Sequence, residues 1–562
     1  MTYRLTGKRR QRAASAGNRQ DRTCDYVIVG AGSAGCTLAH RLTEDPDVRV
    51  VLLEAGGWDR NPWLHIPLAW GRNVLRRSHD WMYETEPSAT MAGRRIPINR
   101  GRVIGGSSSI NAMAYVRGHR GDYDRWSDHG LPDWSYAHVL PYFRRAETWS
   151  KGADDYRGDS GPLGVCHPHF PDPLLDAFIE AGVGAGHPTT PDYNGRQQEG
   201  FSRGQSTIRD GRRCSAAVAY LRPAMARSNL RVETQAVVTQ ILLEGQRAVG
   251  VRYRQNNAMV ELRAEREVIL AGGAINSPQL LMLSGIGDPV ELKAHGIAVR
   301  TALKGVGKNL QDHTSAGVDC LRKEQGPLHR KLRLDRIVPE VARAHFFGTG
   351  MAASVPNNVM AFLKSDASAN IPDVQLLFRV APMDACPYLA PFKRPYSDGF
   401  GCRPTPLRPE SRGAIRLASA DPFAAPRIAI DFLATDNDLR MVRAGIRMAR
   451  EIFNQPAVQA HTTVEIAPGP DKTSDADLDA YARATATTVY HPLGTCKMGP
   501  DSDDATVVDP QLRVRGVDGL RVVDASVMPD LVGGNINAPV IMIAEKAADL
   551  IRGRTALAPS AA

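Results

Sequence analysis

The sequence predicts two folds within one chain: an α/β fold around a parallel sheet, and an α+β fold around an antiparallel sheet flanked by helices. Two strand–glycine–helix units, one beginning near Cys24 and one near Val268, predict the parallel sheet. Between residues 310 and 489 glycine turns become rarer, and runs such as DVQLLFRVAP predict antiparallel strands with long connections. A chain of 562 residues, 43% of them hydrophobic, is long enough for both domains.

Positive charge is concentrated at the amino end. The first 22 residues hold seven Arg or Lys and one Asp, so about +6 of the formal charge of +10 lies in a segment that we expect to be a disordered tail. The rest of the chain is nearly neutral, which argues against a nucleic-acid partner. No stretch reaches the roughly 18 apolar residues of a membrane-spanning helix, and the tail lacks the apolar region of a secretory signal. We therefore expect a cytoplasmic protein without an integral membrane segment, with peripheral contact to the inner face of the membrane left open.

Eight cysteines include no CxxC pair and no Cys/His cluster with zinc spacing. This pattern argues for reduced thiols and against a metal site. Cys496 lies close to His491 in the sequence but has no partner cysteine, so we interpret it as a small buried hydrophobe.

The first strand–glycine–helix unit has the pattern of a dinucleotide-binding fingerprint. The run CDYVIVGAGSAGCTLAHRL places Gly30, Gly32 and Gly35 in G-x-G-x-x-G spacing, and the next apolar run ends in Glu54. The glycines allow a tight turn, a close approach of backbone to a pyrophosphate, and close packing of helix on strand. Glu54 can accept a hydrogen bond from a ribose hydroxyl and argues against a ribose 2′-phosphate. The fingerprint predicts a Rossmann-like domain but leaves NAD and FAD open.

The next block resembles a known family of flavoproteins. GRVIGGSSSINAMAYVRGHRGDYDRW, residues 101–126, resembles the first signature of the glucose-methanol-choline (GMC) family, and AGGAINSPQLLMLSGIG, residues 271–287, resembles the second. The resemblance continues through GVGKNLQDH, YHPLGTCKMG and GLRVVDASVMPDLVGGNINAPVIMIAEKAAD, so it spans nearly the whole chain apart from its tails. It implies FAD, a two-domain fold, and oxidation of an alcohol carbon by hydride transfer to N5 of the flavin. An NAD-dependent dehydrogenase would explain only the first fifty residues.

The resemblance assigns the cofactor site residue by residue. It places Asn111 to Met113 beside the flavin ring, Val238 at the adenine, and Asp524 at the ribityl or pyrophosphate group, whereas a capping aspartate in a turn is the structural alternative for Asp524. Members that attach FAD covalently use a histidine just before the matching asparagine; this chain has Ile110 there, so we expect noncovalent FAD. The expected cofactor-binding residues are Gly30, Gly32, Ser33, Ala34, Gly35, Glu54, Ala55, Arg102, Val103, Gly106, Ser107, Asn111, Ala112, Met113, Ala114, Val238, Ala271, Gly272, Tyr490, Asp524, Ala525, Asn537 and Pro539.

The expected catalytic residues are His491 and Asn535. An alcohol does not readily give up a hydride while its oxygen keeps the proton, so a neutral imidazole within hydrogen-bond reach must take that proton. The family assigns this role to the histidine matching His491, and its paired position is Asn535 in GNINAP. An amide can orient the substrate oxygen but cannot titrate, so His491 is the sole expected base.

The motifs also divide the chain. Two helix-like segments, DNDLRMVRAGIRMAREIF and TSDADLDAYARATA, belong to the expected substrate domain, and Thr473 or Ser474 is the expected amino cap of the second. The FAD domain is expected to be discontinuous. The predicted divisions are a disordered tail (1–23), the FAD domain in three parts (24–165, 216–312 and 489–553), a connecting segment on the substrate side (166–215), a substrate domain (313–488) and a second disordered tail (554–562).

The resemblance does not fix the substrate or the electron acceptor. We expect a small primary aliphatic or benzylic alcohol, with choline oxidised to betaine aldehyde as the alternative. A quaternary ammonium would need aromatic or carboxylate walls, and no sequence pattern shows whether such walls converge. A dehydrogenase is favoured over an oxidase, and a quinone, another carrier or oxygen could reoxidise the flavin.

Overall fold

The computed structural model describes residues 22–562. The tail expected at residues 1–23 therefore lies outside the described residues except for its end, where Thr23 already begins a strand. Two large sheets dominate the described part: one is mainly parallel and one is antiparallel. This arrangement confirms the predicted combination of a Rossmann-like α/β domain with an antiparallel-sheet domain.

The first sheet is built from three distant parts of the sequence. The first two of its parallel strands, Thr23–Val29 and Val50–Leu53, are buried along most of their length, with Val27 and Ile28 fully buried, as expected for strands covered on both faces. The last three residues of the longest strand, Val268, Ile269 and Leu270, pair in parallel with both the first strand and the last one. Within residues 22–562 this sheet has seven strands: Thr23–Val29, Val50–Leu53, Leu230–Glu233, Val237–Glu244, Arg247–Gln255, Ala258–Leu270 and Leu520–Val522.

The pairing places the loops that follow the parallel strands at one edge. Val29 aligns with Leu53 on one side and with Leu270 on the other, and Leu270 aligns with Val522. Because all four strands run in the same direction, the residues that follow them come together at their carboxyl ends. In open α/β sheets this edge is where ligands bind.

The second sheet supports the other side of the same region. All of its pairings are antiparallel, and Phe362, Leu376 and Phe378 are fully buried in its core. One edge strand, Gly200–Arg203, comes from the segment expected to be a connection. In the described residues the six strands, in spatial order, are Thr462–Ala467, Val318–Arg322, Gly399–Pro406, Val374–Arg379, Val359–Leu363 and Gly200–Arg203.

Helices cover the sheets, and several begin where the sequence indicates. Ser474 caps its helix in a reciprocal capping box with Asp477, which decides between the two expected cap residues. Pro278 is the sixth residue of its helix, which begins at Gly273. The longer helices are Ser33–Leu42, Arg120–Asp128, Tyr136–Ala146, Leu174–Gly184, Gly273–Leu283, Leu334–Phe347, Asp436–Phe453, Asp475–Thr485 and Asn537–Ile551.

The carboxyl end packs on the protein surface. The backbone N–H of Leu557 donates to the Tyr142 hydroxyl at 3.2 Å, and that of Ser560 donates to the carbonyl of Ala137 at 2.8 Å. These contacts differ from the disordered extension expected for residues 554–562. Composition alone suggested disorder. It could not reveal the contacts that hold this segment, because the partner residues lie on a helix more than 400 residues earlier in the chain.

Candidate active site

A cavity of about 530 Å³ lies at the carboxyl edge of the first sheet. Both expected catalytic residues, His491 and Asn535, line it, together with all the expected cofactor residues except three. The exceptions are Gly35, Val103 and Pro539. Gly35 lies in the helix behind the glycine turn, Val103 packs with Leu64 and Ile110, and Pro539 lies in the first turn of the last helix.

The glycine turn forms a narrow cradle in which side chains are excluded. Gly30 has φ +102°, and a Cβ placed on Gly35 would lie 1.9 Å from the carbonyl oxygen of Gly30. A Cβ on Gly106 would lie 2.7 Å from the Cα of Gly32, so two glycine-rich loops approach each other here. No side chain in the described residues caps the helix that follows Gly32. Its free amino end at the cavity suits a pyrophosphate, so these residues fit the FAD that the sequence implies.

Glu54 closes the turn from the neighbouring strand. Its carboxylate accepts from the backbone N–H of Ala31 at 2.9 Å and from that of Gly56 at 2.8 Å. Burial raises the pKa of Glu54 to about 7, although these two donors and Arg102 lower it. Glu54 therefore fixes the backbone around the cradle and also lines the cavity, where the predicted contact with a ribose hydroxyl stays a prediction.

Asp524 fixes the second glycine turn. Its carboxylate accepts from the N–H of Gly273 at 2.8 Å, from the Ser277 hydroxyl at 2.6 Å and from the N–H of Ser526 at 2.8 Å. This is the capping geometry that was the alternative for Asp524. The residue also lines the cavity, so contact with the ribityl or pyrophosphate group stays a prediction.

The loop beside the expected ring position is held by a buried arginine that the sequence did not single out. The Asn111 side-chain oxygen accepts from the Met113 N–H at 3.0 Å and from Arg213 at 2.7 Å. Arg213 also donates to the carbonyls of Leu64 and Ser108, and burial lowers its pKa to about 9. Met113 itself has φ +62°, a left-handed conformation that is uncommon outside glycine. Arg213 therefore orients Asn111 and stabilises this strained loop.

His491 and Asn535 form the central polar pair of the site. His491 Nε2 lies 3.0 Å from Asn535 Nδ2, and His491 is only 6% exposed. The Asn535 side-chain oxygen faces Gln375 Nε2 at 3.3 Å, a residue of the antiparallel sheet. The two domains thus meet at the residues expected to touch the alcohol.

Asp312 and Arg100 hold the backbone on which His491 sits. Asp312 accepts from the His491 N–H at 2.8 Å and from the Thr488 hydroxyl at 2.5 Å. Arg100 donates to the carbonyl of Tyr490 at 2.6 Å, and Tyr490 adopts φ +69°. Burial raises the pKa of Asp312 to about 6 and lowers the pKa of Arg100. These bonds fix a strained turn that directs the imidazole into the site.

A second buried histidine lies behind the first. His313 Nδ1 is 3.0 Å from His491 Nδ1, and His313 Nε2 is 3.0 Å from the carbonyl oxygen of Leu407. Burial lowers the pKa of His313 to about 4. Burial, then His313 and Arg100, hold the pKa of His491 well below its ordinary value. Both imidazoles are therefore neutral at neutral pH, the state that a proton acceptor requires.

Sequence reasoning missed several residues of this site. Asp312 and His313 stand within the quoted motif GVGKNLQDH, which was a usable signal, although no role was assigned to either. The others had no motif of their own: Arg100, Arg213, Gln375, Trp70 and Trp81.

Comparison with known proteins extends the similarity over nearly the whole described chain. Sequence models of the GMC oxidoreductase family match residues 24–315 and 409–544. Mitochondrial choline dehydrogenase from Homo sapiens is 46% identical over 551 residues, 97% of this chain and 92% of the relative. Oxygen-dependent choline dehydrogenase from Photobacterium profundum is 44% identical over 540 residues, 96% of this chain and 94% of the relative. The crystal structure of pyridoxine 4-oxidase from Mesorbium loti superposes with a TM-score of 0.85 at 34% identity, covering 95% of this chain and all of the other.

Proposed function

The chain belongs to the GMC oxidoreductase family, and on that premise we propose that it oxidises a primary alcohol to the aldehyde with His491 as the general base. Family membership makes it an FAD-dependent oxidoreductase acting on CH–OH donors. The proposal concerns the roles of individual residues and the identity of the alcohol.

The proposal rests on the 3.0 Å pair of His491 Nε2 and Asn535 Nδ2 at the wall of the cofactor cavity. A neutral imidazole with a low pKa takes the hydroxyl proton of the alcohol at Nε2 while the Asn535 amide orients the alcohol oxygen. Gly30, Gly32, Glu54 and Asp524 are the residues that would hold the cofactor. When bound, FAD supplies the acceptor for the hydride and its two electrons.

Choline is the first candidate substrate. Two relatives at 46% and 44% identity over nearly the full chain are named choline dehydrogenases. Aromatic side chains also line the cavity and could face a quaternary ammonium: Trp70, Trp81, Tyr83 and Tyr490.

An uncharged aliphatic or benzylic alcohol is the second candidate, and the charges of the cavity favour it. Among the described lining residues, Glu54 and Asp524 are the carboxylates, and both already accept backbone hydrogen bonds in the cofactor half. The Arg102 guanidinium already lies 4.7 Å from the centre of the Trp81 ring. Recognition of a cation would therefore depend on the remaining aromatic faces.

Anaerobic reduction of the purified, flavin-loaded protein distinguishes the two candidates. Choline, benzyl alcohol and 1-butanol would be mixed separately with the enzyme while the flavin absorbance is followed. Fast bleaching by choline supports the first candidate, and fast bleaching by the uncharged alcohols alone supports the second. If no alcohol bleached the flavin, the proposed activity would be wrong.

We also propose that the enzyme is a dehydrogenase. The names of its relatives include both choline dehydrogenases and an oxidase, so they support either acceptor. Admitting air after anaerobic reduction tests the proposal: a flavin that stays reduced, and that a soluble quinone reoxidises, is expected. Rapid reoxidation with formation of hydrogen peroxide would make the protein an oxidase.

For location, we propose peripheral contact with an anionic membrane surface through the helix Leu334–Phe347. No helix in residues 22–562 is long and apolar enough to cross a membrane. On this helix, however, Leu334 and Val338 share one face at i, i+4 spacing and are 38% and 61% exposed, and Phe346, about two turns after Val338, is 67% exposed. Arg336 and Arg343 are exposed on the same helix. Exposed apolar side chains on one side of a helix and arginines on the other fit the interface of an anionic bilayer.

Sedimentation with phosphatidylglycerol and phosphatidylcholine vesicles tests this location. We expect the wild type to bind the anionic vesicles, and the double substitution Phe346→Ser with Phe347→Ser to weaken this binding. Val290→Ser, at a 76% exposed position on another helix, is the matched control. Equal binding by the double variant and the wild type would contradict the assignment of this helix.

A further inference from the structure

We propose that His313 is a positioning residue that sets the tautomer of His491, so that the unprotonated nitrogen of His491 is Nε2, on the side of Asn535. The inference rests on the proposed function, because it explains how the base is kept ready. His313 touches neither the cavity nor, in the proposed reaction, the alcohol.

The backbone carbonyl of Leu407 fixes the proton on His313. A carbonyl oxygen can only accept, so the 3.0 Å contact between Leu407 O and His313 Nε2 requires a proton on that nitrogen. His313 is fully buried, and burial lowers its pKa to about 4, so the ring is neutral and carries one proton. Its Nδ1 is therefore a lone-pair acceptor.

That acceptor decides the state of His491. The two Nδ1 atoms are 3.0 Å apart and the rings are nearly perpendicular, at 89°. Since His313 Nδ1 can only accept, His491 Nδ1 must donate, which leaves Nε2 without a proton in the neutral ring. The opposite tautomer would place two lone pairs against each other in a buried site, and we expect it to be disfavoured about 10- to 100-fold.

The other side of His491 agrees with this assignment. Gln375 Nε2 donates to Asn535 Oδ1 at 3.3 Å, which turns the Asn535 amide nitrogen toward His491 Nε2. An amide N–H facing a ring nitrogen requires a lone pair there. The two ends of the chain of hydrogen bonds, a backbone carbonyl and a glutamine amide, thus specify the same tautomer.

The charged groups around the pair do not change this assignment. The charge of Arg100 lowers the pKa of His491. At His313 the charge of Arg408 lowers the pKa and that of Asp122 raises it, so the two oppose each other. Asp312 lies next to both residues but accepts from the backbone N–H of His491 and from Thr488 rather than from either ring. Both rings therefore stay neutral at neutral pH.

The arrangement also restricts the path of the proton. A proton taken from the alcohol stays at His491 Nε2, because the Nδ1 position already carries one. His313 cannot pass a proton further, since its remaining N–H faces a carbonyl. The proton must then leave through the cavity, and His313 does not act as a relay.

Nitrogen NMR on the holoenzyme labelled with ¹⁵N-histidine tests the tautomer directly. Long-range proton–nitrogen correlations distinguish Nδ1–H, Nε2–H and imidazolium rings, and His491→Ala identifies the signal. We expect Nδ1–H for His491 and Nε2–H for His313 at pH 7. Finding His491 as Nε2–H or as an imidazolium would overturn the proposal. Because this measurement needs no substrate, it is independent of whether any alcohol reduces the flavin.

A matched pair of substitutions tests the consequence. In His313→Asn the side-chain oxygen can take the place of Nδ1 and accept from His491, whereas in His313→Gln the amide takes the place of Nε2 and the acceptor is lost. With FAD content unchanged, we expect flavin reduction to fall about 10- to 100-fold in the Gln variant and to stay within about threefold in the Asn variant. Equal rates in the wild type and the Gln variant, with the wild-type tautomer retained, would contradict the role of His313.

Discussion

Replacing His491 by alanine is the most direct test of the proposed chemistry. The change removes the proposed proton acceptor, whereas Gly30, Glu54 and Asp524 keep the contacts that shape the cofactor cradle. We therefore expect a folded, yellow protein whose flavin is reduced slowly by alcohol.

The expected size of the effect follows from the contacts of the side chain. General-base catalysis contributes about 10² to 10⁴ in rate, or about 2.7 to 5.5 kcal/mol. Asn535 offers one oriented hydrogen bond and no titratable group, so Asn535→Ala should lose less, roughly 10- to 10³-fold. For folding, His491→Ala leaves two polar partners without their bonds, His313 Nδ1 and Asn535 Nδ2, at about 1 to 3 kcal/mol each. That loss is within the stability of an ordinary domain.

The pH dependence of flavin reduction distinguishes the role of His491, the proposed base, from that of Asn535, which only orients the alcohol. Burial, His313 and Arg100 lower the pKa of His491, so the neutral base persists at pH values where an ordinary histidine would be protonated. Flavin reduction in the wild type should therefore be independent of pH from 8 down to about 6.5 and should fall only in more acidic buffer. The fall should disappear in His491→Ala and persist in Asn535→Ala.

The assay is anaerobic stopped-flow reduction with saturating alcohol, with flavin content and thermal unfolding measured on each variant. His491→Gln is the second variant, because it keeps a polar group of similar size but no base. Added imidazole should partly restore the Ala variant, where space is vacated, and not the Gln variant. Reduction of the His491→Ala flavin at the wild-type rate would refute the mechanism and make His491 a structural histidine.

Three further predictions concern the cofactor. Gly35→Ala should lose FAD and fold poorly, since its Cβ would lie 1.9 Å from the Gly30 carbonyl, whereas Gly71→Ala, with open space around its Cβ, should behave as wild type; flavin content per protein and thermal unfolding compare the two. Glu54→Ala should weaken FAD binding about 10- to 100-fold, because two buried N–H groups lose their acceptor, and titration of the apoprotein with FAD measures the change; an unaltered affinity would contradict the role of this carboxylate. Because Ile110 offers no nucleophile, acid precipitation should release all flavin into the supernatant, and flavin retained in the pellet would show a covalent bond elsewhere.

Local patterns were enough where a structural requirement falls on a few consecutive residues. The glycine turn follows from three glycines between a strand and a helix, and the structure shows why larger residues fail there. The helix Asp436–Phe453 coincides with the first of the two segments predicted to be helical in the substrate domain. The cap at Ser474 likewise follows from the side chain and the acidic residues next to it.

Groups that meet across the fold were not predictable in this way. Arg213 and Asn111 are about a hundred residues apart, and His313 and His491 almost twice as far, so no spacing in the sequence links them. The left-handed backbone of Tyr490 is similarly invisible, because tyrosine has no preference for it and only the anchors Asp312 and Arg100 maintain it.

The sequence by itself determined the family, the cofactor and the two kinds of sheet, and it predicted His491 and Asn535 as the catalytic residues, because each of these signals lies in a continuous motif. Only the tertiary structure decided the protonation of His491 and of His313 behind it. Burial removes the water that would otherwise stabilise the charge of His491, and the carbonyl of Leu407 determines which nitrogen of His313 keeps its proton. Both effects depend on atoms that are brought together by two separate domains, and for that reason they cannot be inferred from neighbours along the chain.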